Sequence, residues 1–442
     1  MSEKTIKIGL CGFGVVGQGV YSHLTGKQAF LREQLGATLE VARIAVRDLQ
    51  KPRDVAVSSS LLTTDPMSIA EDSEIDILCE LMGGTGLALD VTLAALRSGK
   101  VVVTANKALL CDHGAEVFTA ASEGGGHVLF EASVAGGIPV IKAINEGLII
   151  NDFTSIYGIL NGTCNYILTR MTNEGLSYEE ILKEAKELGY AEADESLDVD
   201  GIDATHKAVI LAYLAHGRWV PFKDVLVQGI TAVKQDDIAF AQENEYAIKL
   251  IAVIDRIHSN EKLYVSVFPT LVSKGYSLGN VDGVFNAISI HGDVVGQTVY
   301  VGPGAGRDAT ASAVIADIVD AAKHLIYGGS ERRFPFLDPA PSNGETIELA
   351  EPSDIHSRYY VRLLVMDQPG VMAEIASVLA SHEVSLASIS QKEVGGNATK
   401  ASLFITTHQT SEQAIFDAMN DLEALASVEE KPFYMPIGAF KE

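Results

Sequence analysis

The sequence predicts an α/β chain in three parts: a doubly wound, Rossmann-type parallel sheet, an α+β region, and a small ferredoxin-like βαββαβ tail. Three observations predict it. Strand-like apolar runs alternate with helical segments over roughly the first 130 residues, as parallel strands joined by crossover helices do. The loop Gly12-Phe13-Gly14-Val15-Val16-Gly17 follows the first such run and opens the first helix. Beyond a proline-rich stretch, the order strand, helix, strand, strand, helix, strand closes the chain.

Taken in order, Ile6–Cys11 reads as the first strand and Val15–Leu24 as the first helix. Val41–Val46 is the second strand, and Ile75–Met82 the third, ending at Gly83-Gly84. Asp90–Ser98 is helical and leads into Val101–Val103; Ala115–Glu123 is the next helix and Val128–Glu131 the next strand. From about Val134 the alternation stops. Phe153–Leu160 is a strand. Ser177 to Gly189 is a helix, with Ser177 and Glu180 as a capping box and Gly189 suited to the C-terminal cap. Ile202–His216 is apolar nearly all round after Lys207, so it should be buried. Leu263–Val272, Val284–His291 and Asp293–Val301 suggest an antiparallel sheet. A helix at 310–327 is expected to return to the first domain. Gly328 to Ser357 holds four of the 13 prolines and reads as a linker. The tail has strands at Tyr359–Val365, Leu386–Glu393, Lys400–Thr407 and Val428–Tyr434, with helices at Val371–Ser381 and Ser411–Leu422. The expected division is 1–133, 134–328, a linker at 329–357, and 358–442.

The balance of 33 basic against 58 acidic residues gives a net charge of −25. That argues against nucleic acid or an anionic membrane as partner, since both require clustered positive charge. No apolar stretch reaches the roughly 18 residues of a membrane span. The chain enters its first strand with no signal peptide, so a cytoplasmic protein is expected. Cys11, Cys79, Cys111 and Cys164 are widely spaced with no CxxC pair, which suggests neither a zinc site nor a disulfide framework.

The glycine loop reads as a dinucleotide cradle. Gly12 permits the turn, Gly14 the approach of a pyrophosphate, and Gly17 close helix packing. The helix N-terminus offers N–H groups and a positive dipole end. The second strand ends Val46-Arg47-Asp48, with Lys51 and Arg53 behind. A cation there favours the 2′-phosphate of NADP, whereas Asp48 would serve NAD. Thr104 and Lys107 stand at the end of a parallel strand, where open α/β sheets place ligands, although a lone lysine there can be merely solvated. Asp203 and Lys207 share one helix face with Leu211 and Leu214. An inward lysine is either half of a structural ion pair or the proton donor that carbonyl reduction needs. Glu192 to Asp203 carries six acids, read as a solvated loop or as a site for a substrate ammonium. Gly302-Pro303-Gly304-Ala305-Gly306 is either a plain turn or a second backbone surface near the cofactor.

Together these stretches closely resemble homoserine dehydrogenase. The matching pieces run in order: Gly12–Gly17, Glu80-Leu-Met-Gly-Gly84, Thr104-Ala-Asn-Lys-Ala108, Glu131 to Pro139, Gly158 to Asn165, Gly189 to Asp194, Asp198 through Asp203 to Lys207, and Gly302–Gly306. The tail resembles an ACT domain, with its Asp367-Gln-Pro-Gly370 turn. The resemblance implies NAD(P)-linked interconversion of L-homoserine and L-aspartate 4-semialdehyde, in the biosynthesis of threonine, methionine and isoleucine. It makes Lys207 the proton donor and acceptor, and puts Lys107 between nicotinamide and substrate. Glu192 and Asp203 would hold the amino-acid end of the substrate, with Asp198 nearby. Gly189, Gly302 and Gly304 would line the cofactor. A monovalent cation, usually sodium, is implied at the Glu131 carboxylate and the carbonyls of Val134, Gly136 and Ile138. The ACT-like tail implies feedback by L-threonine near Asp367, Gly370 and Val371, or a role in assembly alone. A homodimer or homotetramer is expected. Two rivals are a dehydrogenase of another acid and a catalytically silent sensor. An acylating mechanism would need a cysteine nucleophile, for which only Cys164 stands in a suitable loop.

Overall fold

The computed structural model describes residues 4–187, 195–257, 262–327, 347–393 and 399–440. In chain order the elements begin β1 (Lys4–Cys11), α1 (Val15–Gly26), α2 (Gln28–Leu35), β2 (Ala37–Ala45), β3 (Leu62–Thr63), α3 (Met67–Glu71), β4 (Ile77–Glu80), α4 (Gly86–Arg97), β5 (Val101–Thr104), α5 (Lys107–Gly124) and β6 (His127–Leu129). There follow α6 (Val140–Lys142), β7 (Phe153–Ile159), α7 (Gly162–Glu174), α8 (Tyr178–Glu187), α9 (Ser196–Val199), α10 (Ile202–His216), β8 (Leu226–Val227), α11 (Gln235–Glu243), β9 (Tyr246–Ile257), β10 (Lys262–Ser273), β11 (Phe285–Gly292), β12 (Gly296–Pro303) and α12 (Arg307–Tyr327). The chain ends with β13 (Glu348–Leu349), β14 (His356–Met366), α13 (Val371–Ser381), β15 (Leu386–Glu393), β16 (Lys400–Thr407), β17 (Thr410–Ser411), α14 (Glu412–Glu423) and β18 (Phe433–Ile437).

Two compact units result. One comprises Met1–Asn151, Val209–Asp224 and Tyr300–Thr346; the other comprises Asp152–Ala208, Val225–Val299 and Ile347–Glu442. The first holds a six-stranded parallel sheet in the order β3-β2-β1-β4-β5-β6. Its strands are short and apolar because helices cover both faces, so no polar alternation is required. Ile6, Ile8 and Leu10 of β1 are wholly buried, and Ala311, Val314, Ile318 and Ala321 of α12 join the same core. Gly19 of α1 lets the two helices meet: a Cβ there would stand 3.0 Å from the Arg307 side chain and 3.2 Å from Ala311.

The second unit is built on one mixed sheet of twelve strands, whose main path is β12-β11-β7-β9-β10-β18-β14-β16-β15. The antiparallel pairs β11·β7, β7·β9 and β9·β10 form its first half. The order β18-β14-β16-β15 is that of a ferredoxin-like βαββαβ unit. β10 joins the two through the parallel bridge Leu271↔Ile437. The sheet is mixed where antiparallel pairing alone was expected, because β8, β13 and β18 all add to β10 in parallel.

Several boundaries differ from the sequence reading. α5 starts at Lys107 instead of Ala115, since the Asn106 side chain caps it by accepting from Leu109 N at 3.1 Å. The last strand is Phe433–Ile437 instead of Val428–Tyr434. Its register is set by β14, Arg362 opposite Phe433, while Val428 makes only an isolated bridge to Val365. Part of the expected linker is ordered, with Glu348 and Leu349 pairing to Lys262 and Leu263. β9, α2, α7 and α11 were not read from the sequence. The capping box is present: Ser177 N donates to Glu180 Oε2 at 2.9 Å, and Glu180 N to Ser177 Oγ at 3.3 Å. Gly189, its expected C-cap, lies outside the described residues.

Candidate active site

In the first unit the glycine loop turns back on itself. Gly12 has φ +108°, and a Cβ there would stand 2.4 Å from the Leu81 carbonyl oxygen, so no other residue fits. Gly17 has a different role from the helix–sheet contact expected of it. A Cβ at Gly17 would lie 2.3 Å from the carbonyl oxygen of Gly12, so it closes the loop against its own start. Gly14 faces open space, the face a pyrophosphate would occupy. Phe13 is buried edge-on against Tyr21, so it offers only backbone. Val15 is exposed, and Val16 packs partly against the core.

A cleft of about 480 Å³ extends from this loop, lined among others by Gly14, Val15, Arg47, Asp48 and Lys51. Its charged residues differ in what they hold. Arg53 donates to the carbonyls of Asp48, Leu49 and Lys51 and so braces the loop. The Asp48 carboxylate accepts from Gln50 N at 2.8 Å, a local turn. Arg47 and Lys51 have no hydrogen-bond or ion-pair partner among the described residues. Two uncommitted cations in an open cleft beside a helix N-terminus fit a phosphorylated dinucleotide.

At the ends of β4 and β5 a buried network fixes the start of α5. Glu80 accepts from Thr104 Oγ1 at 2.8 Å and from Met82 N at 2.9 Å, and Thr104 Oγ1 accepts from Asn106 N at 3.0 Å. Burial pushes the Glu80 carboxyl upward, against these hydrogen bonds. The Thr104 hydroxyl is thus committed inside the protein and acts by positioning. Lys107 is the first residue of α5, directly after the Asn106 cap.

Glu131, expected to ligate a cation through its carboxylate, uses both oxygens to accept backbone N–H groups, from Ile141 at 2.9 Å and Lys142 at 2.8 Å. Burial pushes it up to about 7. Ala135 at φ 54° and Gly136 at φ 47° are consecutive left-handed residues, an unusual strain for alanine. The buried carbonyls of Val134 and Gly136 accept no hydrogen bond among the described residues, while that of Ile138 accepts from Val140 N. Unmet buried carbonyls suit a hard monovalent cation. The Gly302–Gly306 turn packs here: Gly137 N donates to Pro303 O at 3.0 Å, and a Cβ on Gly136 would stand 2.5 Å from Gly304 O.

In the second unit, α10 carries Asp203 and Lys207, both 8% exposed. Lys207 Nζ donates to Leu160 O at 2.6 Å and to Asp203 Oδ2 at 2.7 Å. An ammonium has three donors; the third meets no acceptor among the described residues. Asn161, which sequence reasoning did not single out, caps α7 by accepting from Cys164 N at 2.8 Å. Its amide donates to Asp198 Oδ1 at 2.7 Å and Asp203 Oδ2 at 2.8 Å. Burial pushes the Asp198 carboxyl up, and Asp203 adds to this, while the Asn161 amide opposes it. Asn286, also unanticipated, donates to Leu160 O at 2.9 Å and holds the same carbonyl as Lys207. Only their place in the matched Gly158–Asn165 motif could have signalled Asn161; Asn286 left no signal. Cys164 is wholly buried, donates to Asp198 O at 3.1 Å, and is pushed well up by burial, so it is no nucleophile. Glu192 and Gly189 lie outside the described residues.

In the tail, Asp367 N donates to Thr399 O, Asp367 Oδ1 accepts from Gln391 at 3.2 Å, and Gly370 caps α13 at φ +101°. Val371 is a core residue, 8% exposed.

A dinucleotide sheet with its glycine loop, and an inward ammonium held among carboxylates, define the class of a nicotinamide-dependent oxidoreductase. The family model for homoserine dehydrogenase matches residues 139–319, its NAD-binding domain matches residues 12–131, and the ACT domain matches residues 359–427. A homoserine dehydrogenase of Neisseria gonorrhoeae is 40% identical, covering 98% of each chain. One from Pseudomonas aeruginosa is 41% identical, covering 96% of this chain and 97% of its own. The crystal structure of a homoserine dehydrogenase from Thiobacillus denitrificans matches with a TM-score of 0.91 at 38% identity, covering 99% of both chains. A hyperthermophilic archaeal homoserine dehydrogenase in complex with NADPH matches 72% of this chain and 97% of its own, at a TM-score of 0.60 and 28% identity. The chain belongs to the homoserine dehydrogenase family, with an NAD-binding domain and a C-terminal ACT domain. Among the described residues no helix is long and apolar enough to cross a membrane.

Proposed function

We propose that this chain reduces L-aspartate 4-semialdehyde to L-homoserine, and reverses the reaction, with NADP as its preferred dinucleotide. The observation that carries the reading is the third N–H of Lys207, held in place by the other two. When bound, the reduced dinucleotide supplies hydride to the carbonyl carbon. Lys207 donates a hydrogen bond to the carbonyl oxygen and passes its proton there as the alkoxide develops. Leu160 O and Asp203 fix the direction of that bond, which makes Asp203 an orienting group as well as a charge partner. Asp198 and Asp203 supply the negative field that receives the substrate ammonium. Glu192 joins them by family resemblance, as Gly189 joins the cofactor's lining.

Gly12, Gly14 and the start of α1 hold the pyrophosphate, while Arg47 and Lys51 receive the 2′-phosphate. Lys107 serves the nicotinamide end, with Gly302 and Gly304 as backbone lining. The carbonyls of Val134, Gly136 and Ile138 hold a monovalent cation, sodium by family resemblance, with Glu131 bracing the turn through Ile141 and Lys142. The ACT domain supports an amino-acid effector; we assign L-threonine, at Asp367, Gly370 and Val371. The edge strand β15 offers a surface for pairing two tails in a homodimer.

A spectrophotometric assay with L-homoserine tests this directly. NADP should be reduced faster than NAD, and L-threonine should slow the reaction. No absorbance change with either dinucleotide would sink the substrate assignment. Equal rates with both would sink the role of Arg47.

A further inference from the structure

The second unit contains a cavity of about 690 Å³ beside α14. Leu226, Gln228 and Phe268 line it from the strands around β10, and Glu412, Met419 and Phe433 from the tail. Two charged groups on its wall are incompletely paired. Glu412 is 6% exposed, and its Oε2 has no hydrogen-bond partner. Arg362 is also 6% exposed; its Nε donates to Asp237 Oδ1 at 2.8 Å and its Nη2 to Ala232 O at 3.0 Å. Nη1 meets no acceptor among the described residues. The cavity therefore presents one unmet acceptor, one unmet donor and an apolar wall. A phosphate ester would satisfy Arg362 but be repelled by Glu412, and a simple amine would satisfy Glu412 alone. An α-amino acid carries both charges and a small side chain for Phe268, Met419 and Phe433.

The segment after β8 links this cavity to the catalytic network. Thr231 and Ala232 line the cavity, and Ile230 N donates to Val199 O at 2.8 Å. The backbones touch there: a Cβ on Gly229 would stand 2.1 Å from Val199 O. Val199 follows Asp198, which accepts from Asn161. A ligand wedged between α14 and residues 228–232 would press on α9 and so on Asp198.

We infer that this cavity is a second amino-acid site, separate from the Asp367–Val371 loop, and that its occupancy alters substrate binding through Ile230, Val199 and Asp198.

Isothermal titration of the full chain tests it, with L-threonine, L-isoleucine and L-methionine as probes. L-threonine methyl ester and N-acetyl-L-threonine each lack one charge and should not bind. Glu412→Gln and Thr231→Trp, the latter at the exposed mouth, should each weaken binding by about tenfold or more, the loss of one charge-assisted contact. Asp367→Asn should leave this binding intact. In wild type the bound amino acid should shift the KM for L-homoserine by about fivefold, a modest coupling, and in Glu412→Gln it should not. Wild-type affinity in either cavity variant overturns the proposal, as does failure of all three amino acids to bind. Binding abolished by Asp367→Asn alone would instead place the effector in the loop. An unchanged KM on saturation overturns the coupling.

Discussion

Two buried lysines in the second unit show how a single hydrogen-bond donor separates structure from chemistry. Lys249 is 2% exposed and donates to Asn165 Oδ1, Val281 O and Asp282 Oδ1, so every N–H is engaged. Lys207 engages only two. Lys207→Ala should therefore lower kcat by about 10²- to 10⁴-fold, the usual worth of a positioned acid, and leave NADP affinity unchanged in a fluorescence titration. Turnover largely intact would defeat the mechanism. Asn161 is the neutral donor between two carboxylates. Asn161→Ala removes two hydrogen bonds to charged groups and a helix cap. Calorimetry should show a loss of about 1–3 kcal/mol, with a raised KM for L-homoserine.

Among elements, the turn after β2 decides cofactor choice. Because Arg53 and Asp48 are tied to their own loop, the double variant Arg47→Ala, Lys51→Ala should lose about 10- to 150-fold in kcat/KM with NADP, the equivalent of one or two charged hydrogen bonds of ~1.5–3 kcal/mol. Rates with NAD should change little; an equal loss with both would refute the assignment. At the start of α14, burial raises Glu412 from the ordinary 4.5 to about 7, with the nearby Tyr264 hydroxyl opposing it. Between those values the folded chain holds a proton that the unfolded chain has released. Stability is therefore greatest below pH 4.5, as far as this group contributes, and declines as pH rises towards 7. Glu412→Gln should flatten that decline in melting curves. Tyr264, Tyr359 and Tyr434 around it are all pushed up by burial and do not titrate in this window.

At the scale of the second unit, the tail is fastened by more than its linker. Asp237 at the start of α11 accepts from Tyr360 at 2.7 Å and Arg362 at 2.8 Å, both on β14. It also accepts from Lys234 N. Asp237→Ala leaves Arg362 buried and unpaired, at a cost of about 3–5 kcal/mol. The tail should then melt in a separate, earlier calorimetric transition. A single unchanged transition would show that the β10·β18 junction alone holds it.

The sequence by itself determined the alternating first sheet, the glycine loop, the βαββαβ tail and the Asp203–Lys207 spacing. Each of these is local: a period of hydrophobicity, a turn residue, or two side chains four apart on one helix. It could not resolve β9, whose residues 248–252 are buried on both faces, so that neither helical nor strand alternation shows. Nor could it find the start of α5, where polar Asp112, His113 and Gly114 break the apolar pattern and the signal is a cap bond from Asn106. Tertiary structure alone decided that Asn161 and Asn286 complete the lysine's surroundings, that Glu131 braces a turn through its side chain, and that the tail joins the sheet at Leu271↔Ile437. These are pairings of groups distant in sequence, chosen because buried donors and acceptors must find partners wherever the fold brings them.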